Sequence, residues 1–98
     1  MARPPIHPGE ILGDELREMK VSHGKLGRDI DVSGTTISRI VRGKQAISAD
    51  TAYRLSHWFG NDPRFWLNLQ DQYDLRVAEK ALGSQRKSWR TKDDLVHP

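Results

Sequence analysis

The chain has 98 residues, 36% of them hydrophobic and 30% charged, with a formal net charge of +3 and no cysteine. This length allows one small core, not a cofactor domain beside a substrate domain, and the missing thiols exclude a disulfide framework and a thiolate metal site. No long apolar run occurs, which excludes a transmembrane helix or a secretory h-region and makes a cytoplasmic protein the simplest expectation.

The first predicted helix begins at Pro8, because proline suits the first helical position, where its missing N–H has no partner to lose. His7, Pro8 and Glu10 therefore read as a helix start rather than a ligand set, with Glu10 well placed in the helix dipole. Ile6 and Ile11 have the spacing of a hydrophobic staple. Leu12, Leu16 and Met19 form one apolar stripe, and the helix should end near Lys20.

Two short helices follow, from about His23 to Ile30 and from about Gly34 to Val41. Ser22 and Ser33 are their predicted N-caps, since a serine hydroxyl accepts a hydrogen bond from an N–H that the first turn leaves unpaired. Val21 with Leu26 and Val32 with Ile37 repeat the staple spacing. The connection is only about three residues long, and Gly43 closes the second helix as its left-handed terminator. This pattern reads as a helix-turn-helix for the DNA major groove.

Ser48, preceded by Ile47, caps a fourth helix whose buried face is Ala52, Leu55, Trp58 and Phe59 and which stops at Gly60. Asp62 and Pro63 start a fifth that reaches roughly to Leu82, with Gly83 as its stop. It carries two apolar stripes, Trp66, Leu69, Tyr73, Val77 and Ala81 on one side and Leu67, Leu75, Ala78 and Leu82 on another. A small monomer buries one such stripe, so the second predicts a symmetric dimer contact through Leu67, Leu69, Tyr73, Leu75, Ala78 and Leu82. The alternative is a helix wrapped by the tail through Trp89, Leu95 and Val96. No alternating strand pattern and no repeat is present. The expectation is an all-α, five-helix domain over residues 1–83 and a polar tail over 84–98, whose composition predicts disorder unless Trp89 anchors it.

Charge is unevenly placed. Residues 17–44 carry seven bases against three acids, a net of +4, whereas residues 1–16 are net −2, residues 45–83 net −1 and residues 84–98 net +2. The positive maximum falls on the helix-turn-helix, as a polyanion partner requires. In its second helix Ile37, Ile40 and Val41 share one face, so Thr35, Arg39 and Arg42 lie opposite. Arginine can donate two parallel bonds to guanine O6 and N7, and threonine can bond a base edge or touch a thymine methyl. The candidate base contacts are Ser33, Gly34, Thr35, Thr36, Ser38 and Arg39, with Arg39 and Thr35 foremost and Gly34 a silent position. The candidate phosphate contacts are Ser22, His23, Lys25, Arg28, Arg42 and Lys44.

No enzyme is predicted. The chain has no Gly-rich phosphate loop, no nucleophile elbow and no His–carboxylate cluster, and Asp93 and Asp94 read as solvated tail residues. His7, His23, His57 and His97 are scattered without an i, i+4 pair, so neither a metal site nor any cofactor is expected.

The window from Ser22 to Lys44 resembles the XRE or Cro-like helix-turn-helix family through Leu26, Ile30, Val32, Ile37, Ile40 and Gly43, which implies a Cro/lambda-repressor-like fold. It departs at Gly27, usually alanine, and at Asp31, usually the turn glycine. Further motifs, HPGEIL at His7 to Leu12, GK-x-x-IS at Gly43 to Ser48 and WLNLQ-x-x-YDL at Trp66 to Leu75, resemble HigA-type antitoxins. That resemblance implies a homodimer that represses its own operon by binding double-stranded operator DNA. It also implies neutralisation of a HigB-like toxin, a ribosome-dependent messenger-RNA endonuclease. The acidic segment 1–16 is a candidate surface for such a toxin. A stand-alone repressor without a toxin, or an interaction module whose helix-turn-helix has lost DNA binding, are the other readings.

Overall fold

The computed structural model describes residues 4–96. Its α-helices are α1 (Pro8–Met19), α2 (His23–Ile30), α3 (Gly34–Val41), α4 (Ala49–Phe59) and α5 (Pro63–Leu82), followed by 3₁₀ turns at Arg86–Ser88 and Lys92–Leu95. Among the described residues no strand forms, and no helix is long and apolar enough to cross a membrane. His97 lies outside the described residues.

Each helix starts where a side chain satisfies an orphan N–H. Ser22 Oγ accepts from Lys25 N–H, Ser33 Oγ from Thr36, Ser48 Oγ from Thr51 and Asp62 Oδ1 from Arg64. At α1 the cap is an imidazole: His7 Nδ1 accepts from Gly9 N–H at 2.9 Å, with Pro8 in the first turn. Helix ends are equally local. Gly43 and Gly60 adopt φ of 73° and 75°, and Lys20 and Asp31 take the same left-handed turn without being glycine. After α3 the N–H of Lys44 bonds to Arg39 C=O and that of Gly43 to Ile40 C=O, the paired closure that left-handed Gly43 permits.

The core takes Leu12 and Leu16 from α1, Leu26 and Ile30 from α2, Ile37 and Ile40 from α3, Ile47 from the loop, Ala52 and Leu55 from α4, and Trp66 from α5. Val21, Val32, Trp58 and Phe59 pack against it from partly buried positions. Met19 departs from the expected stripe and is exposed. The reason is that α1 meets α3 through its N-terminal half. Gly9 and Gly13, one turn apart, receive Ile40 and Val41 so closely that a Cβ on Gly13 would stand 2.9 Å from Val41 Cγ1. The last turn of α1 runs past that contact and ends at left-handed Lys20.

The N-terminal half of α5 locks onto this core. Trp66 is buried beside the rings of Phe59 and Phe65, with centroids 5.3 and 5.0 Å away. Gln70 is buried, its Oε1 accepting the Ile47 N–H at 2.8 Å while its Nε2 donates to Asp74. Tyr73 meets the His7 ring edge-on at a centroid distance of 4.9 Å. From Asp74 to Leu82 every residue of α5 is exposed, and the helix projects from a molecule 59 Å long. Helix five thus buries one stripe only as far as Tyr73.

The expected dimer residues divide accordingly. Leu67 and Leu69 pack against the chain's own core and Tyr73 against His7, whereas Leu75, Ala78 and Leu82 stay exposed, Leu75 to 63%. Trp89 lines a groove with Ala78 and Leu82, but Leu95 and Val96 stand in solvent, so these two do not wrap the helix.

Candidate nucleic-acid interface

Because Ile37 and Ile40 are fully buried, the opposite side of α3 is turned outward, and there Thr35 and Arg39 are exposed, with Arg42 just beyond the helix end. The two helices of the motif approach across glycines. A Cβ on Gly27 would lie 2.3 Å from Val32 C=O, and one on Gly34 would lie 3.2 Å from Gly24 Cα. Gly27 therefore does more than replace the customary alanine: the turn after α2 closes too tightly for any side chain there. Asp31 supplies the left-handed turn residue with φ of 58°.

The expected base-contacting residues separate into groups. Gly34 is not a silent outward position, because the direction its side chain would take points at Gly24 of α2. Ser33 Oγ accepts the Thr36 N–H and donates to Thr36 Oγ1 at 2.9 Å, so both hydroxyls serve the cap of α3. Ser38 Oγ lies 2.7 Å from His23 Nδ1, joining α3 to the first residue of α2. That leaves Thr35 and Arg39 exposed and without a side-chain partner among the described residues.

The expected phosphate contacts divide too. Arg28, Arg42 and Lys44 are exposed and have no side-chain partner among the described residues. Lys25 Nζ is instead held 2.8 Å from Asp29 Oδ1. Asp29 also accepts the Trp58 indole N–H at 3.0 Å, and these two donors, Lys25 first, hold its carboxyl below the usual carboxylate range. Ser22 caps α2, and His23 opens that helix with its ring turned to Ser38. At the other end of α2, Arg54 of α4 donates to Ile30 C=O at 2.8 Å and to Asp50.

Gly24 and Arg54 were not singled out from the sequence. Glycine at the second position of one helix and at the first of the next is the signal that marks the Gly24–Gly34 approach. Arg54 carries no local signal, since its acceptor is 24 residues away.

The arrangement is a short basic helix with an outward polar face, set beneath a second helix whose N-terminus lies beside it. These are the parts that a major-groove reader needs: side chains for base edges, and N-terminal groups and loose cations for phosphates.

The Helix-turn-helix family model matches residues 14–66. Virulence-associated protein I of Dichelobacter nodosus is 49% identical over 78 residues, spanning 79% of this chain and 72% of that protein. Antitoxin HigA-1 of Vibrio cholerae is 35% identical over 74 residues, 74% of this chain and 70% of its own length. The structure of Pseudomonas aeruginosa antitoxin HigA with the higBA promoter superposes with a TM-score of 0.84 at 45% identity, covering 90% of this chain and 97% of that one.

Proposed function

The chain belongs to the helix-turn-helix family of HigA antitoxins, and on that premise we propose that it is a cytoplasmic antitoxin that represses its own operon and neutralises a HigB-like toxin. The observation that carries the DNA-binding part is the outward face of α3, where Thr35 and Arg39 stand exposed on a helix whose other side is sealed into the core. A relative of the same fold has been solved with promoter DNA. Arg39 and Thr35 read base edges, while Arg28, Arg42, Lys44 and the N-terminus of α2 take the phosphates.

Two copies bind together. The exposed half of α5, with Leu75, Ala78 and Leu82, supplies an apolar surface for a second protomer. Paired recognition helices then enter successive major grooves of a palindromic operator whose half-sites lie about one helical turn, or a multiple of it, apart. The toxin meets the acidic outer face of α1, where Glu10, Asp14 and Glu15 are exposed.

A gel-shift of a duplex from its own promoter, at fixed salt, tests the repressor role; binding no tighter than to scrambled DNA would refute it. Co-expression with the neighbouring open reading frame, followed by pull-down and growth rescue, tests the antitoxin role. Promoter binding without rescue would leave a stand-alone repressor.

A further inference from the structure

Ser38 stands on α3 among residues turned toward the proposed DNA face, yet its hydroxyl is engaged within the protein. Its Oγ lies 2.7 Å from His23 Nδ1, and both side chains are half-buried where α2 and α3 meet. Such a distance is a full hydrogen bond between two helices that also approach across Gly24 and Gly34. The two nitrogens of an imidazole sit on different edges of the ring, so binding Nδ1 to α3 directs Nε2 away from it. Nε2 has no hydrogen-bond partner among the described residues.

We infer that Ser38 is a positioning residue rather than a base reader: it holds the His23 ring so that Nε2–H donates to a backbone phosphate of the operator. The inference rests on the DNA-binding reading above. The hydrogen-bond chemistry works in either charge state of the ring. When His23 is neutral, the Ser38 hydroxyl donates to Nδ1 and the remaining ring proton sits on Nε2, the tautomer that a phosphate oxygen selects. When His23 is charged, Nδ1–H donates to Ser38 Oγ and Nε2–H again faces the phosphate. His23 is the first residue of α2, so its ring stands at a helix N-terminus, where an anionic oxygen is already favoured. A serine on the recognition helix thereby contributes affinity that carries no sequence information.

A double-variant cycle decides the matter. Wild type, Ser38→Ala, His23→Gln and the double variant are titrated by fluorescence anisotropy against a promoter duplex and a scrambled duplex of equal length, at one salt concentration. Ser38→Ala should weaken both duplexes by about three- to tenfold, the worth of one net hydrogen bond, and leave their ratio unchanged. In the His23→Gln background it should cause no further loss, and Ser38→Thr should restore most of the affinity. A loss confined to the promoter duplex would make Ser38 a base reader and overturn the inference. So would losses that multiply in the double variant, or a lowered melting temperature accompanied by a loss that persists without His23. If wild type binds neither duplex, the DNA-binding reading falls and takes this inference with it, whereas the other outcomes overturn the inference alone.

Discussion

Gly9 in the first turn of α1 lies against the carbonyl oxygen of Ile40 in α3, so close that a Cβ at Gly9 would stand 1.7 Å from it. Two helix backbones therefore touch directly, and the obstacle to any larger residue is main chain that cannot rotate aside. Gly9→Ala should destabilise the fold by about 3 kcal/mol, near the top of the overpacking range. Gly60→Ala, where nothing lies within 4 Å and only the left-handed φ of 75° objects, should cost about 1 kcal/mol. Urea unfolding of both variants checks the order; an equal cost would mean that α1 does not sit on α3 as described.

Gln70 occupies a buried position for the sake of one N–H, that of Ile47. Gln70→Leu keeps the bulk and removes the acceptor, so a buried donor is orphaned, at a cost of about 1 to 3 kcal/mol. A change below about 0.5 kcal/mol in chemical denaturation, the usual scatter of surface substitutions, would argue that water replaces the bond.

His7 links stability to pH. Its Nδ1 must be unprotonated to accept the Gly9 N–H, and burial lowers its pKa from the ordinary 6.5, against the opposing charges of Asp74 and Glu10. Below pH 6.5 the unfolded chain therefore takes up a proton that the folded chain resists. The contribution is fully present above pH 6.5 and is lost as the pH falls from there through the folded-state value. Asp29, whose pKa is lowered from 3.8, gives up its contribution only below that pH. His7→Asn keeps an N-cap acceptor without a titrating ring and should flatten the melting-temperature profile between pH 7 and 5; a profile as steep as wild type would assign the effect elsewhere.

At the DNA face, Arg39→Ala should cost about 1 to 3 kcal/mol of promoter binding while leaving the fold intact, because the side chain is exposed and bonded to nothing within the chain. Lys44→Ala should weaken promoter and scrambled DNA alike and reduce the slope of log K against log salt by about 1. Equal specificity losses from both variants would show that the division between base and phosphate contacts is misplaced.

For the second protomer, Leu75→Asp and Leu82→Asp alter exposed residues and should yield folded monomers in light scattering, with weaker promoter binding. Leu67→Asp should instead unfold the chain, since Leu67 packs on its own core. A dimer that survives both exposed substitutions would place the interface away from this half of α5.

What could be read from the sequence was local. Ser22, Ser33, Ser48 and Asp62 cap α2 to α5, Pro8 opens α1, and Gly43 and Gly60 terminate α3 and α4, so these boundaries follow from signals a few residues away. The outward face of α3 followed from periodicity, and Thr35 and Arg39 keep that placement. What spacing could not show were contacts between distant segments. They include His23 with Ser38, Gln70 with Ile47, Gly34 with Gly24, and the imidazole of His7 serving as cap and as seat for Tyr73. Met19 fits the periodic stripe and is exposed, because periodicity names a face without saying how far along it the neighbour extends.

The far end of α3 is where the segments HPGEIL, GK-x-x-IS and WLNLQ-x-x-YDL meet, through Gly9 on Ile40, His7 beside Gly43, Gln70 on Ile47 and Tyr73 on His7. In mechanical terms the reading helix is a clamped beam: gripped at its C-terminal root by α1, whose glycines receive Ile40 and Val41, and packed along its side by α2. Such a mount lets the outer residues of the beam be exchanged, Thr35 and Arg39 first, without disturbing the root. A change of operator and a change of fold are thereby kept in separate hands.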